Sequence, residues 1–212
     1  MFETSKAVMR RLHDSRFATR YFVGDGIDIG AGADALGQYE EFFPLMGSCR
    51  AWDVKDGDAQ VLAGVPDASL DFAHSSHCLE HMRDPREALG NWLRILRPGG
   101  HLVVLVPDED LYEQGVFPST FNPDHKWTFT LHKSRSWSAK SVNVLALLGE
   151  FSDRAQAVKV ELLDGTFRFG AGRLDQTMTP IGESAIEFVL RKRPPIELKR
   201  GGRYADAGRG AG

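Results

Sequence analysis

The sequence predicts an α/β fold built on a parallel sheet, and three observations carry that expectation. A short apolar strand over residues 26–29 runs straight into a glycine-rich turn. A well-signalled helix after Asp84 is followed by HLVVLVP, the continuous aliphatic pattern of a strand buried on both faces. Strand and helix signals alternate along most of the chain, as they do in a crossover-linked sheet. With 212 residues, 42% hydrophobic and 26% charged, the chain has the size and composition of one globular domain.

Residues 5–20 read as a leading helix, amphipathic through Val8 and Leu12, ending in a cluster of Arg16, Phe17, Arg20, Tyr21 and Phe22. The first strand and its turn follow, then a helix start over 35–43 that Pro44 limits. Residues 49–54 and 70–76 read as the second and third strands. Asp84 is placed to cap the next helix, Pro85 suits its first position, and Glu87 completes an Asp-x-x-Glu capping arrangement. Ala88, Leu89, Trp92, Leu93 and Leu96 make an apolar stripe at helical spacing, and Pro98-Gly99-Gly100 turns the chain into the fourth strand. Residues 107–136 are polar and proline-punctuated, yet Phe117, Phe121, Trp127 and Phe129 argue for an ordered, functional loop. Residues 138–148 return to helix with Gly149 at its end. Residues 157–163 alternate through Val158, Val160 and Leu162, Asp164-Gly165 signals a hairpin, and residues 184–193 alternate through Ile186, Phe188 and Leu190. The expected organisation is one domain over 1–200 and a flexible tail over 201–212. Within that domain come the leading helix, a ligand-binding half over 26–107, a covering loop over 107–136, and a C-terminal helix and hairpin over 138–193.

Composition excludes several functions. Lys plus Arg number 26 against 29 for Asp plus Glu, and a net charge of −3 offers no global attraction for nucleic acid. No apolar run reaches the ~18–20 residues of a membrane-spanning helix, and the first residues lack the apolar core of a secretory signal. Cys49 and Cys78 are too few for a disulfide framework and fit a reducing compartment. A cytoplasmic protein without nucleic-acid or membrane partners is expected; oligomeric state is not legible.

The first chemically informative segment is Asp28-Ile29-Gly30-Ala31-Gly32-Ala33-Asp34. Glycines directly after a buried strand let backbone approach a ligand closely. GAGADA fits the relaxed dinucleotide pattern, which holds a pyrophosphate at a helix N-terminus. The same residues fit D-x-G-x-G, the turn that holds S-adenosylmethionine, and a tight turn without a ligand is the third reading. Asp28 weighs for the second, because a carboxylate suits a sulfonium and an amino group and is an awkward neighbour for a pyrophosphate. Asp53, at the end of the second strand, suits ribose hydroxyls in either ligand class.

GIDIGAGAD, WDVKDGDAQ, SLDFAHSSHCLEHMRDP and LRILRPGGHLVVLVP, in that order over residues 26–107, resemble the class I S-adenosylmethionine-dependent methyltransferases that share the common methyltransferase domain. Leu79-Glu80-His81 with Asp84-Pro85, followed by Arg97-Pro98-Gly99-Gly100, is the most specific part of the likeness. The resemblance implies a Rossmann-like doubly wound sheet of about seven strands, the last antiparallel, with helices on both faces and the ligand across the strand C-termini. It implies that Asp28, Gly30 and Gly32 face the methionine part and ribose of S-adenosylmethionine, and that Asp53 holds the ribose hydroxyls. It also implies that Asp58 and Ala59 read adenine, and that Ser75, Ser76 and His77 line the methyl-donor pocket. Two departures stand out: Ala33-Asp34 replaces the third glycine, and only four residues separate Asp53 from Asp58, where the family spends a helix and a strand.

His74, His77, Cys78 and His81 suggest zinc, since His77 and His81 would share one face if helical. His74, however, sits on a strand pattern, His81 belongs to the Leu79-Glu80-His81 signature, and a second ligand cluster is not visible, so no metal is expected. The acceptor side is read in Asn122-Pro123-Asp124-His125-Lys126-Trp127, in the loop that follows the fourth strand assigned here. His125 is the candidate general base for the acceptor proton, a role worth roughly 10²–10⁴-fold; His125 and Trp127 pinning the loop by packing is the competing role. The expected reaction moves a methyl group to an oxygen, with nitrogen second, of a small molecule or glycan. The rivals are a nicotinamide-dinucleotide oxidoreductase, favoured by GAGADA alone, and a non-catalytic binding protein with this fold.

Overall fold

The computed structural model describes residues 2–200; the tail expected over 201–212 lies outside the described residues. Six strands form the central sheet: β1 (Gly24–Ile29), β2 (Met46–Trp52), β3 (Leu70–Ser76), β4 (Leu96–Pro107), β7 (Ala155–Leu163) and β8 (Ala185–Lys192). Their spatial order is β2-β1-β3-β4-β8-β7. The first four run parallel, and β8 is antiparallel to both neighbours. Two short strands, β5 (Thr128–Thr130) and β6 (Ser141–Asn143), pair separately. This is the Rossmann-like α/β architecture that the sequence predicts, with six strands in the sheet where about seven are implied. The difference lies between β2 and β3. Asp53, Asp56, Gly57, Asp58, Gly64, Pro66 and Asp67 break any strand pattern there, and the chain makes a 3-10 turn at Val54–Asp56 and further turns. The sheet therefore stops at β2.

Two-residue alternation sorts the strand side chains into two layers. Leu102, Val104 and Val106 of β4 join Ile27, Ile29, Ala73 and Phe188 in the larger core, covered by α2 (Pro85–Arg94) and α3 (Val144–Gly149). Val103, Phe72 and Val189 face the other way, against Val8 of α1 (Glu3–Arg11), Phe17, Tyr21 and Phe22. Helices on both faces explain why HLVVLVP is apolar at every position from Leu102 on. Among the described residues, no helix is long and apolar enough to cross a membrane.

Local chemistry shifts several boundaries from those the sequence predicts. The leading helix breaks after Arg11 and resumes as a π-helical turn over Phe17–Tyr21, because the Asp14 carboxylate takes the Arg16 amide at 3.1 Å and competes with the helical ladder. The second strand begins at Met46, and the Pro-Gly-Gly segment lies inside β4 rather than ahead of it. The helix expected over 138–148 is β6 followed by the shorter α3, whose start Asn143 caps through the Ala146 amide. β7 and β8 pair antiparallel, but residues 164–184 make a long excursion between them in place of a tight turn at Asp164-Gly165. Asp84 does cap α2, accepting from the Arg86 and Glu87 amides. The reciprocal half of the expected box is taken over by Gln60. Its Oε1 accepts from the Arg83 and Asp84 amides at 2.8 and 3.1 Å, and its Nε2 donates to Glu87.

Candidate active site

β1 delivers Asp28 and the glycine turn to the C-terminal ends of the parallel strands. Gly30 and Gly32 adopt φ of 75° and 54°, a left-handed region that side chains resist. The parallel register sets Asp28 beside His74 of β3, so the two side chains share a face. Asp28 Oδ1 meets His74 Nδ1 at 2.6 Å, and its Oδ2 accepts the Leu36 amide at 2.7 Å. Arg11 Nη1 lies 3.1 Å from His74 Nε2. An arginine only donates, so His74 accepts there and donates from Nδ1 to Asp28. His74 is thereby held in a buried structural chain, away from any ligand.

Two cavities flank the turn and share Gly30, His77 and His81. The outer one, about 500 Å³, is bordered by Asp53, Asp58, Ala59, Cys78 and Met82. Asp53 follows β2 directly and closes a capping box with Asp56, which places it at the end of the strand beside β1. Asp58 accepts from Arg83 Nη2 at 2.8 Å and from the Gln60 amide at 2.8 Å; the Arg83 hydrogen bond holds its carboxyl below the usual range. Trp92, read in the sequence only as part of an apolar stripe, donates from its indole to the Ala59 carbonyl at 2.8 Å and nails this wall to α2.

The inner cavity, about 180 Å³, is reached by Asp28, Gly32, Ser76 and His77 together with Glu3, Glu80, Tyr112 and His125. Ser75 corrects its expected role. It points to the opposite face from Ser76, is fully buried, and donates to the Ile29 carbonyl at 3.1 Å. It reaches neither cavity. His77 has a left-handed φ of 51°. Burial, aided by the nearby His125, Lys6 and His81, pushes its imidazole down to about 3. Burial pushes the Glu3 carboxyl up to about 7 against the opposing pull of Lys6, and pushes Glu80 up as well. Six groups here, Glu3, Ser76, His77, Glu80, Tyr112 and Glu113, carry buried polar atoms with no hydrogen-bond partner among the described residues. Such atoms are costly unless a ligand completes them.

The segment after β4 forms the far wall. Asp108 caps a π-helical turn over Glu109–Glu113, and the buried Glu109 accepts from Thr128, Ser136 and Ser141, which fastens that turn to β5 and the residues around β6. The His125 side chain faces the cavity, its Nδ1 held by Glu113 Oε1 at 2.6 Å. Its neighbours pin the loop as well: Trp127 Nε1 donates to the Met82 carbonyl at 3.0 Å and Lys126 Nζ to the His81 carbonyl at 2.7 Å. The sequence predicts no metal, and the structure alters the premise. His74 is committed elsewhere, but Glu80, His81 and His125 converge with ligand atoms all within 4.8 Å of one another. Sequence reasoning misses Glu3, Tyr112 and Glu113. The one available signal was the polarity of the loop after the fourth strand.

Comparison with known proteins agrees with this architecture. The methyltransferase-domain family matches residues 3–145. A SAM-dependent methyltransferase from Archaeoglobus fulgidus superposes with a TM-score of 0.55 at 17% identity, covering 91% of this chain and 95% of that one. The plantazolicin methyltransferase BpumL, solved in complex with SAH, gives 0.53 at 14% identity over 90% of this chain and 85% of its own. A SAM-dependent methyltransferase from Aquifex aeolicus gives 0.51 at 11% identity over 88% and 97%. At these identities the likeness is one of fold. An uncharacterized 37.1 kDa protein in transposon TN4556 of Streptomyces fradiae is 43% identical over 60 residues, which span 28% of this chain and 17% of that protein. With two thirds of its length matched and the glycine turn, strand-end carboxylate and paired cavities in place, the chain belongs to the methyltransferase-domain family.

Proposed function

We propose that the chain transfers a methyl group from S-adenosylmethionine to an oxygen of a small hydroxylated acceptor, a small molecule or a glycan, in preference to a nitrogen. The observation that carries this reading is the inner cavity of about 180 Å³, walled by carboxyl, imidazole and phenol groups and joined to a larger cleft at Gly30, His77 and His81. So small and polar a space suits a hydroxyl-bearing ligand edge. The outer cleft suits the cofactor, with Asp53 for the ribose hydroxyls and Asp58 and Ala59 for adenine. The methionine end then crosses the junction at Gly30 and His77 and meets Asp28, Gly32 and Ser76 on the near wall of the inner cavity, with the acceptor hydroxyl on the far side by His125. A Cβ added at Gly32 would meet nothing within 4 Å, the open space that a ligand passing close to backbone requires. Bound there, S-adenosylmethionine supplies an electrophilic methyl group on a sulfonium centre. The Asp28 carboxylate favours a cationic occupant over a pyrophosphate, which speaks against the dinucleotide rival. His125, oriented by Glu113, activates the acceptor hydroxyl. Aligning the two reactants can itself supply ~7–11 kcal/mol of the barrier.

Calorimetry with S-adenosylhomocysteine and turnover of S-adenosylmethionine against a panel of sugars and small phenols test this reading. Micromolar binding of S-adenosylhomocysteine is expected. His125→Ala should leave that affinity within about twofold and lower turnover by roughly 10²-fold or more. Tighter binding of a nicotinamide dinucleotide, or full turnover in His125→Ala, would reject it.

A further inference from the structure

We propose that Glu80, His81 and His125 bind a divalent transition-metal cation where the two cavities meet, and that this cation holds the acceptor hydroxyl. The inference rests on the methyltransferase reading above and specifies how His125 activates the acceptor: as a ligand, with Nε2 on the ion, and not as a free base. Three independent observations support it. The Nε2 atoms of His81 and His125 each lie 3.8 Å from Glu80 Oε1. An ion about 2.0–2.2 Å from each donor sets its ligands about 3.0–3.5 Å apart, so each histidine-to-Glu80 contact needs a shift of only a few tenths of an ångström, and all three ligand atoms already lie within 4.8 Å of one another.

The second observation concerns the other ring nitrogens. His81 Nδ1 is held by Asp124 Oδ2 at 2.9 Å, and His125 Nδ1 by Glu113 Oε1 at 2.6 Å. An ionised carboxylate only accepts, so each Nδ1 carries the proton and each Nε2 presents a lone pair toward Glu80. Carboxylates placed in this way orient imidazoles for a metal and raise their basicity. The third is Glu80 itself. It is fully buried, and neither carboxyl oxygen has a hydrogen-bond partner among the described residues. A cation would complete it. The backbone braces the arrangement, since the Lys126 amide donates to the Glu80 carbonyl at 2.9 Å and ties together the segments that carry the ligands.

Two imidazoles and one carboxylate select Mn²⁺, Fe²⁺, Co²⁺ or Zn²⁺ over Mg²⁺ and Ca²⁺, which prefer all-oxygen sets. Three protein ligands leave positions open toward the inner cavity. A hydroxyl in an open position loses its proton to water at a lower pH than when free, and its oxygen keeps the bonding pair.

The test titrates Co²⁺ into protein dialysed against a chelator, followed by visible absorption and calorimetry, with Mg²⁺ as a separate arm. One Co²⁺ per chain at micromolar affinity is expected, with a rise in melting temperature. His125→Ala and Glu80→Gln should each weaken binding at least 10-fold, and Glu113→Gln, which touches no ion, roughly 10-fold. Far-ultraviolet circular dichroism checks that each variant folds, and His81→Ala replaces Glu80→Gln if burial makes the latter unstable. Absence of a Co²⁺ signal in the wild type, undiminished binding in the His125 and His81 variants, or binding of Mg²⁺ alone would overturn the proposal. S-adenosylhomocysteine affinity, measured in parallel on metal-free protein, separates failure of the metal site from failure of the methyltransferase reading.

Discussion

Gly30 and Gly32 look interchangeable in the sequence, yet they carry different loads. A Cβ at Gly30 would sit 2.6 Å from Cys78 Sγ and 2.7 Å from its Cβ, whereas one at Gly32 meets no atom within 4 Å. Both positions have positive φ, which costs an alanine roughly 1–2 kcal/mol. Gly30→Ala should therefore lower the melting temperature well beyond Gly32→Ala, while Gly32→Ala, which fills the ligand's space, should lose more S-adenosylhomocysteine affinity per degree of stability lost. Melting curves and calorimetry on the pair decide this, and the reverse ranking would remove Gly32 from the ligand path. The turn was legible because glycine after a strand has few other uses. Ser75 was misjudged because a one-residue step along a strand reverses the face, and the resemblance carried no register.

Elements were legible wherever apolar periodicity dominates. Residues 70–76 form β3 with the predicted bounds, and α2 starts at its predicted cap. Boundaries set by side chains acting on backbone were not legible, as Asp14 and Gln60 show. Gln60 is remote in sequence from α2, so its hold on the Arg83 and Asp84 amides has no local signature. Asp84→Ala should cost about 0.5–2 kcal/mol, the ordinary loss of a cap. Gln60→Ala removes the acceptor of two amides and a contact to Glu87, at about 0.5–1.5 kcal/mol for each hydrogen bond lost, and should cost more. Urea unfolding of both variants provides the comparison. An equal loss would mean that water replaces the glutamine.

At the scale of the molecule, one buried carboxylate ties the layers together. Glu187 of β8 accepts from Arg10 at 2.9 Å and Lys159 at 2.7 Å through Oε1, and from Arg11 at 2.9 Å through Oε2. Arg11 continues to His74 and Asp28, so α1, β8, β3 and β1 share a single polar chain. Burial pushes Glu187 up, but the three cations outweigh it and hold its carboxyl well below the usual range. A depressed carboxylate contributes its full stability above the ordinary glutamate value of about 4.3 and loses it as pH falls below that. Glu187→Gln leaves Arg11 buried without its counter-ion and should cost about 3–5 kcal/mol near neutrality. The gap to wild type should stay level from pH 8 to about 5 and narrow below about 4.3, as urea melts across pH would read. A gap that persists undiminished to pH 3 would contradict this account. None of the chain was legible in the sequence, and the inner cavity was hidden for the same reason. Glu3, Glu80, Glu113 and His125 become neighbours only through tertiary packing.

The position of β8 has a consequence for how the molecule is made. It is the last described strand, yet it lies inside the sheet, between β4 and β7. Translation delivers α1 long before β8, since the partners of Lys6 and Arg10 at Thr177, Glu183 and Glu187 lie 171, 173 and 177 residues downstream. A nascent chain halted before residue 177 still offers α1 the Asp34 carboxylate for Ser5 and His74 for Arg11, but lacks the partners of Lys6 and Arg10, so α1 lies over the glycine turn with fewer ties. The roof over the inner cavity is thus completed only once residues 177–187 have been made, and a ribosome-bound fragment that stops earlier presents a more loosely covered cleft.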